Sequence, residues 1–175
     1  MVPHVINGIP AHVLFVHLVV VLVPLTILAL ILCAASPSIM RRFGIALPAL
    51  ALVPLVIVPV TTNAGEWLKQ HVDSNALVRK HAGLGGQMLP WAIGLFVLAV
   101  AVWWTYRRAD NHAFHGVKST GSAAAAVRAP LRVAAVVLSL IVGVGAGLQV
   151  YRVGDSGATA AWHDAYSTTA HPSGG

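Results

Sequence analysis

The sequence has very little charge. Only 9% of its 175 residues are Asp, Glu, Lys or Arg, whereas about a quarter are charged in an ordinary soluble domain. With 57% hydrophobic residues, neither a water-soluble globular domain nor a disordered chain fits this composition. The single cysteine, Cys33, excludes an intrachain disulfide and a zinc site built from cysteines. The shortage of charge therefore points to a membrane protein.

Four long apolar stretches account for the hydrophobic excess. A helix that spans the hydrocarbon of a bilayer needs roughly 20 mostly apolar residues, and we place such spans at about 10–35, 43–67, 82–106 and 131–153. These runs are too long and too uniformly apolar for barrel strands, so we expect helices. The predicted fold is all-α: one integral membrane four-helix bundle over residues 1–175, with 163–175 as a flexible tail.

The basic residues are divided unevenly between the two ends of this bundle. Seven fall in the first and third connections beside one acid, Asp110, and four fall on the opposite side beside four acids. Because Lys and Arg favour cytoplasmic loops, both termini are predicted to be extracytoplasmic. We expect membrane lipid as a partner and no nucleic acid, since the basic residues lie in short loops without interleaved aromatic residues.

Histidines are the notable polar residues of the spans. Ionisable groups at membrane depth are costly and are treated as functional candidates. His12 lies 23 residues before Ala35 in the first span, and His81 lies 23 residues before Trp104 in the third. Each separation is about 35 Å at the helical rise of about 1.5 Å, so both histidines are expected at a similar level. His17 lies more than a turn deeper. His12 and His17 are about 140° apart around a helix, so they do not share a face.

This pattern favours a bound haem b. Two imidazoles from separate helices at matched depth can hold a haem iron axially, with His12 or His17 as one ligand and His81 as the other. Gly85, close to His81, would let a flat macrocycle approach. No Cys-x-x-Cys-His pattern is present, so covalent attachment of the c type is not expected.

Two other interpretations stay open. A zinc, copper or iron ion is an alternative cofactor, with ligands drawn from His12, His17, His81, Glu66 and Asp155. In the simplest interpretation, the histidines hydrogen-bond at the interface and the glycines only pack helices. Glu66 and Asp155 would then form ion pairs with nearby basic residues such as Lys69.

The fourth span carries two glycine patterns. Gly143 and Gly147 form a small-xxx-small pair, which predicts close packing inside the bundle, across a homo-oligomer or against a larger membrane complex. Residues 154–157 read Gly-Asp-Ser-Gly, a tetrapeptide seen around trypsin-like nucleophiles, but the end of a membrane helix is the wrong setting for a protease. We expect these residues to end the span and to open a short amphipathic helix.

Both ends of the apolar region resemble a known family. The stretch INGIPAHVLFVH is similar to the His-Pro-x-x-Val-His-Phe-Pro signature of the membrane-protein family called domain of unknown function 2231, with His12 and His17 at the two histidines and Val13 in place of the proline. His81 matches a histidine at the head of the family's third span. The stretch GAGLQVYRVGDSGATAAW resembles the family's Gly-x-x-Leu-Val-Tyr-x-x-Gly ending.

The resemblance implies a four-helix protein of the bacterial inner membrane, akin in architecture to the b-type cytochrome bundles. Together with the histidines, it favours a haem or redox-metal protein that transfers electrons or serves as an accessory subunit of a respiratory complex. We expect no enzyme activity of its own. The alternatives are a non-haem metal-binding protein and a structural or assembly subunit without a cofactor.

Overall fold

Six helices and a small hairpin make up the described part of the chain. A computed structural model describes residues 5–73, 75–114 and 121–163, with side chains for 5–73, 75–108 and 129–163. In chain order the elements are β1 (Val5–Ile6), β2 (Ile9–Pro10), α1 (Ala11–Ala35), α2 (Pro37–Phe43), α3 (Ala46–Lys69), α4 (Ala76–Gly86), α5 (Met88–Phe114) and α6 (Gly121–Trp162). Within these residues, four stretches are long and apolar enough to cross a membrane: Ala11–Ala35, Ala46–Lys69, Ala76–Arg108 and Ala129–Trp162. The predicted all-α membrane bundle is confirmed.

The four long helices pack around one apolar core. α1 packs against α3 and α6, and α5 packs against the same two helices from the other side. Large buried side chains such as Leu30, Leu47 and Leu95 fill the centre. The buried hydroxyls of Thr26 and Ser139 donate to carbonyls one turn earlier in their own helices, each at 2.7 Å. The core therefore satisfies its polar groups without water, as lipid requires.

The hairpin at the start of α1 was not predicted. β1 and β2 pair antiparallel around Asn7 and Gly8, whose φ angles are +50° and +81°. Two successive residues with positive φ are the requirement of a type I′ turn, which Asn-Gly meets best. The hairpin leads through Pro10 directly into α1, so His12 lies in the first turn of that helix.

The third span consists of two helices. α4 begins after Asn75, whose side chain accepts a hydrogen bond from the Val78 backbone N–H at 2.9 Å, and it ends at Gly86. The chain turns at Gln87 before α5 begins. α4 packs mainly on α6 and, to a lesser extent, on α3. The histidine-bearing segment is therefore a separate short helix that is positioned by its neighbours.

The predicted end of the fourth span is wrong. α6 continues through Gly154 and Gly157 to Trp162, so these glycines neither end the span nor open a second helix. They are tolerated because glycine inside a helix costs only about 1 kcal/mol, which packing can offset. Of the predicted flexible tail, residues 164–175 lie outside the described residues.

The small residues of α6 are used inside the chain. A Cβ at Gly143 would lie 2.8 Å from Cγ2 of Ile27 on α1, and a Cβ at Gly145 would overlap the indole of Trp91 on α5. At Gly147 a Cβ would meet nothing within 4 Å. Gly143 thus serves packing within the bundle. A homo-oligomer or larger complex that uses the Gly143/Gly147 face stays a prediction.

We expect Gly145→Ala to destabilise the bundle by about 1–3 kcal/mol relative to Gly147→Ala, the usual range for overpacking. Both variants share the same gain in helix propensity, but only the first places a Cβ against Trp91. Unfolding of the purified proteins in detergent, followed by circular dichroism, measures the difference. Equal stabilities would show that the Trp91 indole moves aside without cost.

Candidate functional site

Two of the three predicted histidines meet at one end of the bundle. His12, in the first turn of α1, and His81, on α4, have ring centroids 6.0 Å apart and ring planes at 79° to each other. Both side chains are half-buried. The meeting of these two rings defines the candidate site, which we call the histidine pair.

His12 is held by the backbone of α3. Its Nδ1 lies 2.9 Å from the carbonyl oxygen of Thr61. A carbonyl only accepts hydrogen bonds, so Nδ1 is the donor and carries the ring hydrogen. One turn later stands Gly65, where a Cβ would lie 2.8 Å from both Cε1 and Nδ1 of His12. The bare backbone at Gly65 leaves the Thr61 carbonyl open to the imidazole.

His81 is held in a similar way by α6. Its Nδ1 lies 3.1 Å from Oγ of Ser156. The Ser156 hydroxyl donates its one hydrogen to the carbonyl of Val153 at 3.0 Å, so its oxygen accepts from the imidazole. A Cβ at Gly157 would lie 2.9 Å from Cε1 of His81. Each histidine therefore packs on a glycine that lies one helical turn after the carbonyl at its contact. These pairs are Thr61 and Gly65 for His12, and Val153 and Gly157 for His81.

A further contact fixes α4 itself. The side chain of Gln149 on α6 is 3% exposed, and its Nε2 donates to the carbonyl of Leu84 at 2.8 Å. Leu84 lies in the last turn of α4, and its carbonyl also accepts from the Gln87 backbone N–H at 3.1 Å. α6 thus sets both the orientation of His81 and the position of the helix that carries it.

These contacts leave the two Nε2 atoms as lone-pair donors. In a neutral imidazole one nitrogen carries hydrogen and the other accepts, and both Nδ1 atoms carry it here. Metal-ligating histidines usually donate their second ring nitrogen to a carbonyl or similar acceptor, which fixes the tautomer and the ring orientation. Each histidine of the pair makes such a contact through its Nδ1.

A small apolar cavity adjoins the pair. Its volume is about 50 Å³, and its walls include both imidazoles together with Val16, Val58 and Met88. Pockets for organic ligands usually measure about 300–1,000 Å³. The cavity beside the histidine pair is several times smaller than that. Gly85 lines the cavity, and a Cβ there would meet nothing within 4 Å.

The other predicted ligands lie apart from the pair. His17 is exposed, and its Nδ1 donates to the carbonyl of Val13 on its own helix at 2.6 Å. Glu66 forms an ion pair with Lys69 at 3.0 Å, as the alternative interpretation had it. Asp155 is exposed.

The larger ligand set does not assemble in the described structure. Among residues 5–73, 75–108 and 129–163, no group of three or more His, Cys, Asp and Glu side chains is placed to hold a metal ion. Two imidazoles are what the described residues bring together.

Sequence reasoning missed the residues that hold the histidines. They are Gly65, Gly157, Ser156, Gln149 and the carbonyl of Thr61. A partial signal was present, because Thr61 and Gly65, like Ser156 and Gly157, stand at the same ends of their spans as His12 and His81. Position along the spans predicts that these residues lie at the same membrane level as the histidines. It does not predict which of them contacts which histidine.

We expect both imidazoles to carry hydrogen on Nδ1 at neutral pH. Ser156→Ala should shift His81 toward the other tautomer about fivefold, because a neutral hydrogen bond contributes about 1 kcal/mol, and it should leave His12 unchanged. Nitrogen NMR of protein labelled at histidine measures both rings. Thr159→Ala is the matched control, since that hydroxyl donates to a carbonyl of α6 one turn earlier. An unchanged His81 spectrum in Ser156→Ala would contradict the contact.

Comparison with known proteins places the chain in a family. Searches of curated proteins and of solved structures give no significant match. The profile of the DUF2231 family, described as a predicted membrane protein, matches residues 8–170. That range includes all four spans, His12, His81 and the glycines that receive them. With nearly the whole sequence matched and a bundle of four membrane helices, the chain belongs to the DUF2231 family of membrane proteins.

Proposed function

We propose that this membrane protein binds a transition-metal ion between His12 and His81. One observation carries the proposal: the two imidazoles come from different helices, meet edge-to-face with ring centroids 6.0 Å apart, and both have Nδ1 engaged by a neighbouring helix. Their Nε2 atoms are left as unprotonated donors. Two such donors at one place are typical of metal ligands.

The spacing of the rings fits a shared ion. Metal–nitrogen bonds of about 2.0–2.1 Å place the centroids of two imidazoles about 5–6.5 Å apart, depending on whether the angle at the metal is tetrahedral or linear. The observed separation of 6.0 Å lies inside this range.

The donor set favours copper among the candidate ions. Imidazole suits zinc, copper, iron and nickel, and Cu²⁺ binds nitrogen donors most tightly of the divalent first-row metals. Zinc usually takes four protein ligands in a structural site and three in a catalytic one, more than the described residues bring together. Water or a partner protein would supply the remaining ligands of the ion.

Haem b is the second candidate. The matched depth of the two histidines and their separation also suit axial ligation of one iron. The cavity of about 50 Å³ counts against it, because a macrocycle would have to part α1 and α4. The ion is therefore the candidate that the described arrangement supports better.

The position of the site limits its role. His12 and Ala35 are separated by 23 residues, or about 35 Å of helix, so one centre at this end serves one side of the membrane. We assign the protein a role in holding or passing a metal ion, or one electron when the ion is copper or iron, to a partner on that side. With the predicted orientation, that side is extracytoplasmic.

The test uses the purified protein in detergent, loaded separately with Cu²⁺, Zn²⁺ and haem. We expect one copper ion per chain, measured by elemental analysis, and a loss of affinity of about 100-fold or more for His12→Ala and His81→Ala. His17→Ala is the matched control: the same residue type on the same helix, facing away from the site. It should bind as the wild type does.

Other outcomes discriminate between the candidates. A Soret band that depends on both His12 and His81 would replace the ion with haem. Equal copper affinity of wild type, His12→Ala and His81→Ala would overturn the proposal. So would the absence of both metal and haem from the loaded protein, which would leave a structural subunit without a cofactor.

A further inference from the structure

The cavity beside the histidine pair has a sulfur-bearing residue in its wall. Met88, the first residue of α5, lines the cavity together with His12 and His81. It is 3% exposed. Because the cavity measures only about 50 Å³, the methionine and the two imidazoles border one narrow space. A methionine therefore adjoins the two proposed metal ligands.

The other sulfur-bearing residues of the described chain lie elsewhere. Cys33 follows His12 by 21 residues on α1, which is about 32 Å along the helix. Met40 lies on α2, the short helix that comes after the far end of α1. Among the described sulfur-bearing residues, Met88 alone lines this cavity.

The turn between α4 and α5 fixes the position of Met88. The carbonyl of Leu84 accepts from the Gln87 backbone N–H at 3.1 Å and from Nε2 of Gln149 at 2.8 Å. Met88 follows Gln87 directly, so the contacts that hold the end of α4 also hold the start of α5. His81 and Met88 are therefore positioned together by α6.

The cavity distinguishes Met88 from a methionine that only fills space. Methionine often fills irregular gaps in a core because its side chain is unbranched and flexible, and Met88 does belong to the apolar core. Here a gap remains beside it. Free space next to a flexible side chain allows the thioether to turn toward an ion held by the imidazoles.

A thioether changes which ion such a site prefers. Imidazoles alone suit several divalent metals, whereas thioether sulfur is a soft ligand that selects Cu⁺. Cu⁺ also accepts a low coordination number. It therefore needs fewer ligands than zinc, which usually takes three or four from the protein.

We propose that Met88 is the third ligand of the site, through Sδ, and that the ion it selects is Cu⁺. The inference rests on the proposed function, because His12 and His81 supply the other two ligands. It adds the oxidation state of the copper, and it assigns to the chain itself one of the ligands that water or a partner would otherwise supply.

The first test measures metal affinity of the full chain in detergent, with Cu⁺ titrated anaerobically in competition with bicinchoninate. Met88→Leu conserves volume, and Met40→Leu is the matched control, since Met40 is also buried, at 2% exposure. We expect Met88→Leu to lose about tenfold or more in Cu⁺ affinity, because losing a residue that merely orients a ligand already costs about 10–100-fold. Met40→Leu should bind as the wild type does.

The same variants are titrated with Cu²⁺ and Zn²⁺. Their affinities in Met88→Leu should stay within about twofold of wild type, because these harder ions gain little from a thioether. Equal losses for Cu⁺ and Cu²⁺ would show that Met88 only packs against the histidine pair, and would overturn the proposal.

The second test observes the sulfur position directly. Protein grown with selenomethionine and loaded with Cu⁺ should show a copper neighbour in X-ray absorption at the selenium edge, in wild type and in Met40→Leu but not in Met88→Leu. A wild-type spectrum without a copper neighbour would overturn the proposal even if Met88→Leu misfolds.

The two proposals fail in different ways. Unchanged Cu⁺ affinity in Met88→Leu, together with lost affinity in His12→Ala and His81→Ala, would remove Met88 and leave the histidine site in place. A wild type that binds neither Cu⁺ nor Cu²⁺ would overturn both.

Discussion

The structure depends on the fact that hydrocarbon offers no hydrogen-bond partners. Every buried polar group must find a partner within the chain. The hydroxyls of Thr26 and Ser139 turn back onto their own helices, but an imidazole needs an acceptor on another helix when it points into the bundle. A helical carbonyl is open to a second donor where the side chain one turn later is absent. Gly65 therefore decides where His12 can point.

The two ends of the bundle are built on opposite electrostatic principles. The histidine end is close to neutral, and its site depends on lone pairs and on tautomers fixed by short contacts. The other end is strongly cationic, and two of its arginines, Arg107 and Arg108, lie over the rings of Trp103 and Trp104. The four helices between them keep the two chemistries about a bilayer apart.

Much of the fold could be predicted, because hydropathy and helical rise determine the spans and the level of each residue. His12 and His81 were expected at one depth for that reason. The angle of about 140° between His12 and His17 shows that they face different ways, yet which one faces inward depends on how α1 meets α3 and α6. The glycine near His81 in sequence, Gly85, only lines the cavity. The glycines that receive the imidazoles come from other helices, and local sequence does not reveal such partners.

The division of the site among helices has a consequence for biosynthesis. The carbonyl that accepts from His12 lies on α3. The first two long helices, α1 and α3, can therefore orient this imidazole while the rest of the chain is still on the ribosome. His81 depends on α6 for Ser156, for Gly157 and for the glutamine that secures α4. The pair is complete only once the last helix has inserted and docked. A half-made chain therefore presents a single ordered imidazole, and the finished protein alone gathers both donors.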